Sequence, residues 1–211
     1  MRRFTQIFLV TALVAAGAST AYAADDSAEA DRLFGVLPNY TTIDGRSAAQ
    51  LTTRESFRLA SLGTFDPVIY PFIGMTTLLG QESSDRSYRA RYATAFADNS
   101  IGNFMTTAVM PSLMHQDSRY FRRGEGGVFS RLAYAASRSV VTRTRDGRPA
   151  FNISEIGGNL AAAGLSNIYY SPADRTMSGT ATRWGTQVMW DTVANEMKEF
   201  WPDIHARLRH K

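Results

Sequence analysis

The 211-residue sequence contains no cysteine. Disulfide staples and thiolate metal sites are therefore excluded, and stability has to come from packing. Lysine is nearly missing as well: of 23 basic residues, all but Lys198 and Lys211 are arginine. Recognition of negative charge thus falls to planar guanidinium groups, which match carboxylate and phosphate oxygens in pairs. Histidine is confined to His115, His205 and His210, and no metal or cofactor is expected. Past residue 23 there is no strongly apolar run of about 20 residues, the length a spanning helix needs; residues 67–80 are apolar but too short. Known nucleotide and hydrolase motifs are missing too. GEGG lacks the Lys-Ser/Thr of a phosphate-binding loop, and no G-x-S-x-G elbow occurs. In SRSVVTRTRDGR, Thr144 and Arg148 stand where phosphatases of the phosphatidic acid type need histidine and aspartate. No nucleic-acid partner is expected.

What is present starts with an export address. Arg2 and Arg3 precede an apolar stretch from Phe8 to Ala18, and Ala21-Tyr22-Ala23 has the small-x-small form cut by signal peptidase. Residues 1–23 are expected to be a signal peptide, which places the chain in the periplasm, with peripheral membrane contact possible. Residues 24–51 are acidic and polar at first, then rich in Thr, Gly and Ser, and should form an irregular arm. Residues 52–211 should form one helical domain.

Local signals place its helices. Thr52-Thr-Arg-Glu55 has capping-box spacing, so a helix should begin near 53. Asp66-Pro67 suits the start of a second, and a third pattern runs from about Ser87 until Pro111 stops it. Phe129, Ala133, Ala136 and Val140 form an apolar stripe that predicts a buried face, with Arg131 and Arg138 opposite. Asp146-Gly147 is a turn signal for a loop or short hairpin. Asn152-x-x-Glu155 should cap a helix whose Gly157, Gly158, Ala161, Ala162 and Gly164 permit close approach. A last long helix carries Met189, Val193, Met197 and Phe200 until a break at Pro202. Trp184, Trp190 and Trp201 are expected in the core rather than at a membrane interface. The fold class is mainly α: a single-domain bundle of about five to seven helices with an irregular N-terminal arm.

Candidate chemistry gathers in LMHQDSRYFRRGEGG. His115 and Asp117 have the spacing of a base with its orienting carboxylate. If the segment is helical, Arg119, Arg122 and Arg123 share a face, and the glycines beyond lead into a helix N-terminus that also favours anions. From Arg119 to Arg148 there are eight arginines against Glu125 and Asp146, a local balance of +6 inside a chain of formal net charge +4. Pairing within the fold, through Asp117, Glu125, Asp146 or Asp174, is the ordinary fate of such arginines. Surplus positive potential would instead direct association with anions.

The segments RLFGVLPNY, QDSRYFRRG, SRSVVTRTRDGRPAFNISE, GLSNIYYSPADRT and EFWPDI resemble an uncharacterised family of exported bacterial envelope proteins, from about Arg32 to Ile204. The resemblance implies a single exported domain and assigns no reaction. The expected function is non-enzymatic: Arg119, Arg122, Arg123, Arg131 and Arg138 engage anionic groups of a lipid headgroup, lipopolysaccharide or an acidic envelope partner. One alternative is an enzyme for a phosphate- or carboxylate-bearing substrate, using His115 and Asp117 with Arg119, Arg122 and Arg123. The other is a structural homo-oligomeric scaffold built on the small-residue helix.

Overall fold

The computed structural model describes residues 32–33, 36–44, 49–79 and 86–209. The expected signal peptide lies outside the described residues, as do His210 and the acidic start of the arm. What is described of the arm is not wholly irregular. Short strands β1 (Arg32–Leu33) and β2 (Leu37–Pro38) pair antiparallel, and β3 (Thr42–Asp44) follows. These strands are too short for alternation to register in the sequence, and β3 exists only because a distant edge receives it.

The arm is tied to the domain at Asp66. Its carboxylate accepts from the Arg32 guanidinium at 2.9 Å, the Tyr40 hydroxyl at 2.7 Å and the Val68 amide at 2.9 Å. Burial pushes this carboxyl up, but those donors outweigh burial and hold it below the usual carboxylate range.

Helix α1 (Thr53–Thr64) has the capping box at Thr52, whose hydroxyl accepts from the Glu55 amide while Glu55 accepts from the Thr52 amide. Helices α2 (Ile69–Leu79) and α3 (Tyr88–Phe104) follow. Asn103 joins α1 to the end of α3. Its amide donates to Ala60 O at 2.8 Å and to Thr64 Oγ1 at 2.7 Å, and its carbonyl accepts from Thr107. Asn103→Leu is expected to cost about 2 kcal/mol in urea unfolding, because the Thr107 and Thr64 hydroxyls then lose partners in a largely buried place.

Pro111 does not stop the third helix. The chain passes through one π-helical segment, Met105–Val109, and continues as α4 (Met110–Met114). A residue 111 with an N–H would have bonded the Thr107 carbonyl; the Ser118 hydroxyl donates to it instead, at 3.0 Å. His115 then ends α4 in the left-handed region, φ 53°.

Strand β4 (Gln116–Asp117) pairs with β6 (Val141–Thr144), and β6 with β7 (Pro149–Phe151), all antiparallel. The Asp146-Gly147 signal closes that last hairpin, with Gly147 at φ 81°. Strand β5 (Tyr120–Arg122) takes β3 alongside it in parallel, Thr42 opposite Tyr120.

Helix α5 (Val128–Ser137) reverses the expected sidedness. Phe129 is 87% exposed and Val140 46%, whereas Arg131 is 6% exposed and faces inward with Ala135. Two carboxylates on the last helix draw Arg131 in, and their attraction overrides the apolar stripe. Helix α6 (Ile153–Ser166) is capped by Asn152 as expected, and lies against the π-helical segment and α7 (Met177–Arg209). Pro202 does not break α7 either. Arg131 bonds Glu199 on one side of the proline and Asp203 on the other, which staples the helix across it. Trp201 is core at 9% exposed, while Trp190 is 44% exposed.

The described residues thus form a mainly α bundle with six helices of ten or more residues. Its interior is unusually polar: Ser56, Thr64, Ser154, Asn159, Ser166 and Glu199 are all within 2% of full burial. No described helix is long and apolar enough to cross a membrane.

Candidate functional site

The arginine-rich segment is not one continuous helical face. Arg119 precedes β5, Arg122 ends it and Arg123 follows it, and Arg131 and Arg138 belong to α5 and its cap. Glu199 of α7 organises much of it. One carboxylate oxygen accepts from the Tyr120 hydroxyl at 2.7 Å and the Arg123 amide at 3.0 Å. The other accepts from the Gly124 amide at 2.9 Å and Arg131 Nε at 2.8 Å. Four donors therefore fill the lone-pair directions of one fully buried carboxylate. Gly124, at φ 68°, supplies the turn that aims two successive amides at it. Burial pushes Glu199 up, but Arg131, Tyr120 and the two amides outweigh it and hold the carboxyl below its ordinary range.

Three of the candidate arginines are spent on carboxylates. Arg119 pairs with Asp117 at 2.7 Å, Arg122 with Asp44 at 2.6 Å, and Arg131 with Glu199 and Asp203. Asp117 serves as a partner within the fold, while Asp146 meets Arg148 in the open at 3.6 Å and accepts from the Gln50 amide at 3.5 Å. Arg123 is exposed and donates to the Ser130 hydroxyl. Arg138 differs: among the described residues it has no carboxylate partner, touching instead Ser137 and the Tyr134 ring at 4.7 Å.

Arg138 also lines a cavity of about 50 Å³, with Arg119 and Arg143 in the same wall. That volume holds about four waters, or one group the size of a phosphate or carboxylate. Asn152 and Ser154 bring the N-terminal end of α6 to the cavity, Thr106 comes from the π-helical segment, and Asn195 from α7. Arg143 lies over the Phe121 ring at 4.3 Å as Arg138 lies over Tyr134, so the rings orient these guanidinium groups, and Asn152 fixes the Arg138 backbone through its carbonyl.

Glu155 is the acidic member of the lining. Behind it, Asn159 Nδ2 donates both to Glu155 and to Asp191 of α7, each at 2.9 Å. Burial first, then the neighbouring Asp191, push the Glu155 carboxyl well above its usual range, which favours its protonated form. The Lys198 charge on α7 interacts with both acids, while its ammonium donates to Thr41 at 3.0 Å.

The structure does not join His115 to this lining. His115 is exposed at the end of α4, and the Asp117 carboxylate is occupied by Arg119. Arg122, Arg123 and Arg131 lie outside it as well. Arg143, Glu155 and Asn195 were not singled out as site residues from the sequence. Arg143 falls inside the basic segment, but the Asn152-x-x-Glu155 spacing signalled only a helix cap. Comparison with family models, curated proteins and solved structures finds no match for this chain.

Proposed function

We propose that this chain is an exported, non-enzymatic envelope protein that captures an anionic group in the Arg138–Arg143 cavity. The group is a phosphate, either free or carried by a lipid or lipopolysaccharide. One observation carries this: Arg138 lines a polar cavity of about 50 Å³ without a carboxylate partner among the described residues. A half-buried guanidinium with an open neighbouring volume gains from an anion that completes its bonds. Arg119, already paired with Asp117, gives the cavity a stiff wall rather than a further ligand.

Calorimetric titration with inorganic phosphate tests this directly. Arg138→Gln is expected to weaken binding about tenfold, the order of one charge-assisted hydrogen bond. Titration without heat or saturation, or equal affinity in the variant, would remove the proposal. Flotation with phosphatidic acid versus phosphatidylcholine vesicles at low and high salt separates the sources. Binding to the anionic vesicles in addition to free phosphate assigns the phosphate to a membrane component, and binding of free phosphate without the vesicles assigns it to the periplasmic solution.

A further inference from the structure

We infer that Glu155 makes this cavity selective for an oxyanion that carries its own proton, hydrogen phosphate, over a fully deprotonated one such as sulfate, a selectivity that rests on the anion capture proposed above. An anion cavity ordinarily has donors around it and no carboxyl. Here Glu155 stands in the lining with Arg119, Arg138 and Arg143. Its placement is not incidental, because a buried amide clamps it from behind. Asn159, 1% exposed, reaches Glu155 on its own helix and Asp191 on α7 through the same nitrogen.

Asn159 holds the two carboxyls together through one nitrogen. Burial and the neighbouring Asp191 favour the protonated form of Glu155, and its interaction with Asp191 gives that proton a place away from the cavity. Toward the cavity Glu155 then offers an acceptor oxygen. The Lys198 charge acts on Glu155 in the opposite sense to Asp191, and the uncharged Asn195 and Thr106 complete the surroundings. Hydrogen phosphate suits such a lining: its unprotonated oxygens take the guanidinium donors and its single O–H meets the Glu155 oxygen. Sulfate has the same shape and charge but no proton at neutral pH. One of its oxygens would face an acceptor with nothing between them, a mismatch that polar sites punish heavily.

The test is competitive calorimetry at pH 7.5 with inorganic phosphate and sulfate, on the full chain and on Arg138→Gln, Glu155→Gln and Asp191→Asn. The unaltered protein is expected to prefer phosphate by about tenfold or more. Glu155→Gln supplies an amide donor and should bring the ratio toward one, with sulfate gaining as phosphate loses. Asp191→Asn releases the pair's constraint from behind and should shift the ratio in the same direction by less. Equal affinity for the two anions in the unaltered protein overturns the selectivity, and so does a ratio preserved in Glu155→Gln. If Arg138→Gln still weakens both anions in that case, anion capture itself stands. Failure of the unaltered protein to bind either anion removes both. The ratio in the unaltered protein needs no variant to fold.

Discussion

Glu199→Gln is expected to destabilise the protein by about 3–5 kcal/mol, the scale for breaking one partner out of a buried ion pair. Glutamine has nearly the same shape, so packing is not the cause. Each oxygen of Glu199 now accepts two hydrogen bonds, from Tyr120 and the Arg123 amide on one side and from the Gly124 amide and Arg131 on the other. An amide nitrogen in either place would point its hydrogens at two donors, and the Arg131 charge would lose its most buried partner. Chemical denaturation reads the loss directly. A double cycle with Arg131→Met supplies the control: the double variant should be less destabilised than the sum of the single changes, since it removes both charges together.

The same residue sets a pH signature. The Glu199 carboxyl is lowered from an ordinary value of 4.5. A group lowered by folding adds stability that is complete above its unfolded value and is lost as pH falls through the folded one. Melting temperature should therefore drop below pH 4.5 in the unaltered protein, with Asp66 adding to the loss in the same direction. In Glu199→Gln the curve should start lower and fall less. An identical acid slope in both proteins would show that Glu199 is not the group being titrated.

Gly158→Leu is the second large effect, expected at about 3 kcal/mol or more. A Cβ at this position would sit 3.2 Å from the Met105 carbonyl carbon and oxygen and 3.1 Å from Thr106 Cγ2. Two of these neighbours are backbone of the π-helical segment and cannot rotate aside. Helix propensity argues the other way, since glycine inside a helix costs about 1 kcal/mol relative to alanine. The contact should win at Gly158, so that Gly158→Ala already destabilises. At Gly164, in the same helix, a Cβ meets nothing within 4 Å, and Gly164→Ala should stabilise by about 0.5–1 kcal/mol. Opposite signs at these two positions, measured by thermal unfolding, would establish that close approach rather than propensity governs α6. Because Thr106 lines the cavity, Gly158→Leu should also weaken phosphate binding.

Much of the fold could be read locally. Thr52 with Glu55, Asn152 with Glu155, and Gly147 after Asp146 each act within a few residues, so their hydrogen bonds are written in neighbouring positions. The close-approach role of Gly158 was likewise visible in the run of small residues. Periodicity misled where a long-range charge overrode it: Arg131 turned inward because Glu199 and Asp203 wait 68 and 72 residues away. Proline misled twice because partners beyond the local spacing compensate. The Ser118 hydroxyl takes the Thr107 carbonyl that Pro111 cannot reach, and Arg131 bonds Glu199 and Asp203 on either side of Pro202.

The sequence by itself determined the helical class, the caps, the absence of thiol chemistry and the crowding of arginine between residues 119 and 148. Which arginines are consumed by carboxylates and which one is left beside an open volume was decided only when β5, α5, α6 and α7 came together. Charge pairing acts through space at a few ångströms, and residue spacing along the chain carries no record of it. Glu155 shows this most clearly, since a helix-capping position became the acidic wall of a cavity once Asp191 arrived from another helix.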